Sequence, residues 1–374
     1  MNKFCSLCAI LGLSMAMLTG CDKKNDAIET PPEAPTRFVG ADLSQWLVYN
    51  ENHAIYTDNG SPIENVPQYF AQKGFNIARI RLFVAPDMQS EACQDINYVI
   101  RTARACIDAG MLICLDFHYS DTWADPGKQY TPKEWESLSV AEMAQQVYNY
   151  TRESLSRLKE EGITPAQIQI GNEITGGMLW ESGRISVWDE AANTPTQWEN
   201  FLSYLRNASK ACREVCPDAQ IIIHIDRGGD SETAIRYYQK VANIDYDIIG
   251  LSYYPFWHGS FSQLETTLQS LQNKFPQKEI MIVETAYPHQ KSDYGESGNA
   301  ACAYPFTPEG QASYLSDLVR LLKRYDNVTG VYYWYPEETY VEPFYGRIDL
   351  HRGMFDEYTG EVLPAINQLK DFLQ

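Results

Sequence analysis

Positive charge is scarce in this sequence. Lys and Arg together number 30 against 49 Asp and Glu, which gives a formal net charge of -19. A chain of this sign repels polyanions at long range, so nucleic acid is a poor partner and a neutral or cationic substrate fits better. Aromatic residues are plentiful instead, at 13% of the chain with 8 Trp and 25 Tyr. Beyond those that a core needs, this supply suits the flat faces of sugars.

The apolar run near the start of the chain is too short to cross a membrane. It covers Phe4 to Met17, follows Lys3 and ends at Leu18-Thr19-Gly20-Cys21, a pattern typical of a secretory signal. Because a cysteine stands where cleavage would fall, the segment resembles a bacterial lipoprotein signal. A plain secretory signal is the alternative.

These features predict three parts of the chain. Residues 1–20 are expected to be a lipoprotein signal peptide, 21–36 a polar, Pro-rich flexible tether, and 37–374 one catalytic domain. We expect Cys21 to be lipidated and this lipid to be the contact with the membrane. The expected location is the bacterial cell envelope, at the outer-membrane surface, although the sequence leaves the membrane face open. A monomer is the expected state of such a tethered protein.

Cysteine pairs with CxxC spacing are absent beyond Cys21. The six remaining cysteines lack the CxxC spacing of a zinc site, and Cys114 lies in an apolar run, so we expect buried free thiols. They are Cys93, Cys106, Cys114, Cys212, Cys216 and Cys302.

Short apolar runs alternate with longer segments of helical period from Phe38 onward. Eight strands are predicted: Phe38 to Leu43, Asn76 to Val84, Met111 to Tyr119, Gln167 to Glu173, Gln220 to Asp226, Asp247 to Tyr254, Glu279 to Glu284 and Gly330 to Tyr335. Predicted helices include Ile96 to Ala109, Val140 to Glu160, Gln197 to Val215, Pro308 to Tyr325 and Leu363 to Phe372. This alternation predicts an α/β fold, a single-domain (β/α)8 TIM barrel.

Several of these runs, such as Ile221 to Ile223, are apolar on both faces, as parallel strands covered on both sides require. A doubly wound sheet would show the same pattern. The barrel is favoured because polar residues follow nearly every strand at its C-terminal end, where barrel enzymes build their sites.

Two predicted strands end on a glutamate. Glu173 follows Asn172 at the end of the fourth strand, and Glu284 ends the seventh. A lone glutamate there would more often be a structural hydrogen-bond acceptor. Two carboxylates at one rim can instead share acid and nucleophile work on a glycosidic bond.

Other polar residues follow neighbouring strands. Arg79 and Arg81 point to one face of the second strand, and Arg81 is the closer of the two to the barrel mouth. A structural ion pair with Asp116 is an equal alternative for Arg79. The loop after the third strand holds His118, Asp121, Trp123 and Asp125. A metal site and a hydrogen-bonded loop that caps a helix are the alternatives there, and sugar contacts are favoured over a metal.

These residues lie in segments that resemble glycoside hydrolase family 53, the endo-β-1,4-galactanases. The matching segments span nearly all of the chain beyond the tether, and the one from His118 to Gln129 is the most specific. They are Gly40-Ala-Asp-Leu-Ser44, Arg79-Ile-Arg-Leu82, His118-Tyr-Ser-Asp-Thr-Trp-Ala-Asp-Pro-Gly-Lys-Gln129, Gly171-Asn-Glu-Ile-Thr-Gly-Gly-Met-Leu-Trp180, Asp247-Ile-Ile-Gly-Leu-Ser-Tyr-Tyr-Pro255 and Val283-Glu-Thr-Ala-Tyr-Pro288.

The resemblance implies a retaining endo-acting enzyme that cleaves β-1,4-galactan, with Glu173 as acid/base and Glu284 as nucleophile. It implies that Asn172 touches the sugar and that Arg81 and Tyr254 steady the nucleophile. Trp334 would form the floor beneath the sugar. The remaining residues that the resemblance places in the cleft are His118, Asp121, Trp123, His224 and Trp257.

No cofactor is expected. Some bacterial members bind calcium in a loop after the seventh strand, but the corresponding segment, His289 to Ala300, lacks an alternating run of ligands. The alternatives are a retaining barrel hydrolase acting on mannan, xylan or cellulose, and a non-catalytic surface glycan-binding lipoprotein. A barrel isomerase or aldolase would need a Schiff-base lysine or a phosphate loop at a strand end, and neither is seen.

Overall fold

Eight parallel strands close into a barrel in the computed structural model, which describes residues 36–88, 91–194, 196–291, 303–341 and 350–374. The strands are β1 (Phe38–Asp42), β2 (Ile77–Leu82), β3 (Leu112–Phe117), β4 (Gln167–Ile170), β5 (Gln220–Ile225), β6 (Ile248–Ser252), β7 (Glu279–Thr285) and β8 (Val328–Tyr333). Each strand pairs with its neighbours in chain order, and pairing between β1 and β8 closes the barrel. The predicted (β/α)8 fold is confirmed.

Helices cover the outside of the barrel. They are α1 (Trp46–Glu51), α2 (Val66–Gln72), α3 (Ile96–Asp108), α4 (Val140–Glu160), α5 (Gln197–Val215), α6 (Ser231–Lys240), α7 (Pro255–His258), α8 (Phe261–Lys274) and α9 (Pro308–Leu322). A small antiparallel hairpin joins Thr57–Asp58 to Ser61–Pro62. None of the helices in the described ranges is long and apolar enough to cross a membrane.

The local sequence explains where the longer helices begin. Ser139 and Glu142 form a capping box at the start of α4, and the Asp95 side chain accepts a hydrogen bond from Tyr98 N–H at the start of α3. Such caps satisfy backbone N–H groups that have no partner within the helix. The predicted helix over Leu363 to Phe372 differs in type, because two 3-10 helices, Pro364–Asn367 and Leu369–Leu373, form there.

The barrel interior is a separate core of side chains that alternate along the strands. Its members are Phe38, Ile77, Cys114, Ile222, Ile248, Met281, Val283 and Tyr332. The opposite strand faces pack against the helices. The polar ends of the strands therefore meet at one rim above a filled interior.

The prediction of buried free thiols is confirmed for the five cysteines in the described ranges, all of which are buried and unpaired. Cys302 lies outside the described residues. So do the predicted signal peptide, the tether up to residue 35 and the lipidation site Cys21.

Candidate active site

Glu173 stands just beyond β4, which ends three residues earlier than the sequence predicted. Its backbone adopts the left-handed conformation, with φ 47 and ψ 47, before a 3-10 turn over Ile174–Gly176. A non-glycine residue held there carries a strain of about 1–3 kcal/mol, which is commonly found at active sites. The turn, rather than strand alternation, therefore brings the Glu173 carboxylate to the rim.

A chain of hydrogen bonds orients the Glu173 carboxylate. Ser252 Oγ donates to Glu173 Oε1 at 2.6 Å, and His224 Nε2 lies 2.8 Å from the same Ser252 oxygen. The backbone N–H of Glu173 donates to His224 Nδ1 at 3.3 Å. The same Nδ1 lies 3.1 Å from Asn172 Oδ1, so His224 connects Glu173, Asn172 and Ser252. Burial lowers the pKa of His224 well below its usual value, so this histidine is neutral.

Glu284 lies within β7 and is held at both carboxylate oxygens. Arg79 Nη2 is 2.8 Å from Oε1, and Tyr254 Oη donates to Oε2 at 3.1 Å. The family resemblance implies Tyr254 and Arg81 as the two partners of Glu284. The structure corrects the arginine, because the ion pair with Glu284 is made by Arg79.

Arg79 contacts several other buried groups. Its Nη1 lies 2.7 Å from Asp42 Oδ2, and its Nη2 lies 2.9 Å from Asp116 Oδ2 and 2.8 Å from Asn172 Oδ1. The structural ion pair with Asp116 and the contact with Glu284 therefore occur together in one side chain.

Arg81 turns toward a different part of the site. It donates to Gln45 Oε1 at 2.6 Å and to Gln94 Oε1 at 3.2 Å, and its guanidinium carbon lies 4.1 Å from the centre of the Trp123 ring. The nearer position of Arg81 to the barrel mouth thus places it under Trp123 instead of beside Glu284. Arg81 therefore reaches the barrel mouth, as its strand position predicts, whereas the contact with Glu284 that the resemblance implies for it is made by Arg79.

The two glutamates differ in their surroundings. Burial raises the pKa of Glu284 to about 7, against the opposing effect of the Arg79 charge. Burial and then the charges of Glu284 and Asp226 raise the pKa of Glu173 well above its usual value, with only the Ser252 hydrogen bond acting in the other direction among these main causes. Because a cation contacts Glu284 and a neutral hydroxyl contacts Glu173, Glu284 loses its proton first.

One cleft brings most of the predicted residues together. Those that line it are Arg81, His118, Trp123, Asn172, Glu173, Tyr254, Trp257, Glu284 and Trp334. Trp257 has 60% of its surface exposed, and the rings of Trp123 and Trp334 lie 6.4 Å apart at 67°. Such walls can hold a sugar by its apolar faces.

Two predicted cleft residues have other positions. Asp121 accepts hydrogen bonds from the backbone N–H of Ala85 at 3.0 Å and of Lys133 at 2.9 Å, and it is not among the residues that line the cleft. In this structure the side chain anchors the loop backbone, and its place in the cleft stays a prediction. His224 is fully buried beneath the cleft, where it supports Asn172 and Ser252.

Asp125 lines the cleft, as expected for its loop. Several further lining residues were not predicted from the sequence: Asp42, Arg79 as the partner of Glu284, Ala124, Lys128 and Arg352. Lys128 lies in the segment from His118 to Gln129, so its position after β3 was a usable signal. Arg352 lies far from any strand end in sequence, and its guanidinium stacks 4.9 Å from the Trp257 ring. No pattern in the sequence indicated that contact.

No group of three or more His, Cys, Asp or Glu side chains in the described ranges has the arrangement of a metal site. Most of the segment weighed for calcium, from residue 292 onward, lies outside those ranges.

Comparison with known sequences identifies close relatives. The sequence profile of "Glycosyl hydrolase family 53" matches residues 38–369. An "Arabinogalactan endo-beta-1,4-galactanase" from Cellvibrio japonicus is 34% identical over 314 residues, which cover 80% of this chain and 80% of that protein. An "Endo-beta-1,4-galactanase" from Bacillus subtilis is 30% identical over 315 residues, which cover 79% of this chain and 69% of that protein.

Comparison with solved structures agrees. The GH53 catalytic domain of Ignisphaera aggregans superposes with a TM-score of 0.78 at 29% identity, covering 91% of this chain and 98% of that one. A structure from work on two fungal beta-1,4-galactanases gives a TM-score of 0.77 at 28% identity, covering 90% and 99%. A family profile that spans the whole barrel, together with these relatives, shows that this chain is a glycoside hydrolase and belongs to glycosyl hydrolase family 53.

Proposed function

We propose that this protein is a retaining endo-acting hydrolase that cleaves β-1,4-galactosidic bonds in galactan, the backbone of type I arabinogalactan in pectin. The names of its relatives support the substrate. The observation that carries the mechanism is the contrast between the two rim glutamates, of which Glu284 is paired with Arg79 and Glu173 is held by Ser252.

The first step forms a covalent intermediate. The ionised carboxylate of Glu284 attacks the anomeric carbon while Glu173 gives its proton to the departing glycosidic oxygen. One carbon–oxygen bond forms, one breaks, and the leaving chain departs as a neutral alcohol. Arg79 and Tyr254 hold Glu284 in position for this attack.

The second step releases the sugar. Glu173, now ionised, removes a proton from a water molecule, which attacks the anomeric carbon and displaces Glu284. Two inversions give net retention. Negative charge on Glu284 in the resting site favours the protonated form of Glu173, and its loss on attack favours the ionised form, so the same pair serves both steps.

The decisive experiment is a product time course on linear β-1,4-galactan, with mannan, xylan and cellulose in parallel. We expect galacto-oligosaccharides of several lengths before free galactose, and new reducing ends in the β configuration by NMR. Absence of galacto-oligosaccharides contradicts the substrate. Galactose as the first product contradicts endo action, and α ends contradict retention.

Variants separate the two glutamates. Glu284→Ala should abolish cleavage of every substrate. Glu173→Ala should abolish cleavage of galactan but retain the first step on aryl galactosides whose leaving group needs no proton, and azide should then accelerate turnover. Glu181→Ala is the matched control, since Glu181 pairs with Arg184 at the surface. Galactan cleavage that persists in Glu284→Ala contradicts the assignment.

We also propose that the mature protein is anchored in the bacterial envelope by a lipid on Cys21. The motif Leu18-Thr19-Gly20-Cys21 supports this assignment. Mass spectrometry of the N-terminal peptide from cells should show a lipid on Cys21, and Cys21→Ser should release the protein from membranes. An unmodified Cys21 in the mature protein contradicts the proposal.

A further inference from the structure

A second groove adjoins the catalytic cleft along the rim. Trp257 lines both, so the two spaces share its exposed side chain as a wall. The groove has a volume of about 680 Å³, within the range of roughly 300–1,000 Å³ that is usual for ligand sites. Polar residues that follow β5, among them Asp226, Arg227 and Asp230, form its other wall.

The groove exists because two loops pack closely. At Gly229 a Cβ atom would lie 1.5 Å from the His258 carbonyl oxygen, so only glycine permits this approach. The loop after β5 therefore lies against the C-terminal end of α7, the short helix that carries Trp257.

Trp188, on the loop after β4, contacts Arg227, which lines this groove. Its ring centre lies 4.8 Å from the Arg227 guanidinium, and 51% of its surface is exposed. Arg227 Nη1 in turn lies 3.0 Å from Asp226 Oδ2. A tryptophan stacked on a cation that is itself held by a carboxylate has little freedom to move.

The backbone that carries Trp188 is held as well. The Asn193 side chain accepts from Ser186 N–H at 2.7 Å and donates to the Ser186 carbonyl at 2.8 Å. These two hydrogen bonds close the loop on both sides of Trp188. The exposed ring is thus pre-organised, which lowers the entropic cost of binding.

The groove begins on the Glu173 side of the catalytic pair. Thr175 Oγ1, two residues beyond Glu173, donates to Asp226 Oδ1 at 2.5 Å. Asp226, which lines the groove, is therefore linked to the segment that carries Glu173.

We propose that this groove is an outer sugar subsite, in which Trp188 stacks on a neutral galactosyl unit of the main chain several units from the cleaved bond. The inference rests on the proposed function. Indole rings take the apolar face of a pyranose, while Arg227 and Asp230 supply a donor and an acceptor for hydroxyls. The carboxylates of Asp226, Asp230 and Glu232 outnumber the one arginine, so the groove favours a neutral sugar over an anionic one.

The test is the length dependence of cleavage. We would measure kcat/KM of the wild type and of Trp188→Ala on linear β-1,4-galacto-oligosaccharides from three to eight units. The advantage of the longest substrate over the shortest cleaved one should fall about fivefold to tenfold in Trp188→Ala, the loss of one exposed aromatic contact. Tyr148→Ala is the control, since it removes a ring stacked 5.1 Å from Lys210 on the outer helices.

The possible outcomes distinguish failure of the subsite from failure of the proposed function. An unchanged length profile in Trp188→Ala, or an equal loss on all lengths, overturns the subsite while the proposed function stands. A loss that appears only on arabinose-branched galactan also overturns it, because the ring would then bind a side chain. If the wild type does not cleave galactan, the proposed function is wrong and the subsite falls with it.

Discussion

Arg79 Nη2 lies 2.8 Å from Glu284 Oε1, and the same guanidinium contacts Asp42 and Asp116. One arginine thus faces three buried carboxylates on three different strands. Burial, which raises the pKa of Asp116, is outweighed by the charges of Arg79 and His118, so the pKa of Asp116 is lowered. The guanidinium is shared, and Glu284 receives only part of its charge.

This relationship predicts the effect of Arg79→Lys. Lysine keeps the charge but cannot reach Asp42, Asp116 and Glu284 at once. We expect kcat to fall by about 100-fold through misplacement of Glu284. Because Arg79 lowers the pKa of Glu284, weakening the contact raises that pKa. The acidic limb of the kcat/KM profile, where Glu284 must ionise, should therefore move to higher pH.

Arg81→Lys is the matched control for that experiment. It makes the same change two residues along β2, under Trp123 and away from Glu284. We expect a higher KM with the acidic limb in its original place. Equal shifts of the acidic limb in both variants would contradict the assignment of Arg79 to Glu284.

Ser252→Ala tests the acid/base side of the pair. Ser252 Oγ donates to Glu173, and this hydrogen bond lowers the Glu173 pKa. Its removal should raise the pKa and move the basic limb of kcat/KM to higher pH, because Glu173 would keep its proton longer. Loss of orientation should lower kcat by about tenfold, the factor that corresponds to 1.4 kcal/mol.

Tyr254→Phe provides the contrast to Ser252→Ala. Tyr254 donates to Glu284, and its hydrogen bond lowers that pKa. The acidic limb should move to higher pH while the basic limb stays. If both variants move the same limb, the roles of the two glutamates are not the ones proposed.

We expect Asp121 to contribute to the stability of the fold and not to substrate binding. Its carboxylate accepts two backbone N–H groups, from Ala85 and Lys133. Asp121→Ala leaves both without this partner and should lower the free energy of unfolding by about 2 kcal/mol. We expect kcat/KM on galactan at 25 °C to stay within a factor of two, whereas Trp123→Ala should raise KM. A large rise in KM with unchanged stability in Asp121→Ala would restore the cleft assignment.

The fold was predictable because its signals are repeated. Runs apolar on both faces, such as β7, favour buried strands, and eight predicted strands in alternation with helices leave few architectures. The ends of the strands were less predictable. The departure of β4 from strand geometry after Ile170 depends on a left-handed turn at Glu173, for which no propensity argues.

The site was predictable in its members but not in their contacts. Strand ends indicated Glu173 and Glu284, whereas the choice between Arg79 and Arg81 depended on where Asp42 and Gln94 lie in space. Arg352 joins the cleft from a loop more than 60 residues after Glu284, as counted from the sequence. Contacts of this kind are set by packing between distant segments, and the spacing of residues in the sequence does not indicate them.

Gly40 in β1 should tolerate no side chain, because the barrel interior is filled. A Cβ atom there would lie 2.1 Å from Cδ1 of Tyr332. Tyr332 is fully buried, and its hydroxyl donates to Gln167, so its ring cannot turn aside without losing that bond. Overpacking of this kind costs about 1–3 kcal/mol, and we expect the loss of stability in Gly40→Ala to fall at the upper end of this range.

Gly127→Ala is the control, since its Cβ would meet only Asp125 Oδ1 at 3.3 Å. This substitution should change stability by less than about 0.5 kcal/mol. Urea unfolding followed by circular dichroism should give a clearly lower midpoint for Gly40→Ala alone. Equal midpoints for the two variants would mean that the interior can rearrange around a methyl group, contrary to the close packing that holds the strand ends, and with them Arg79 and Glu284, in place.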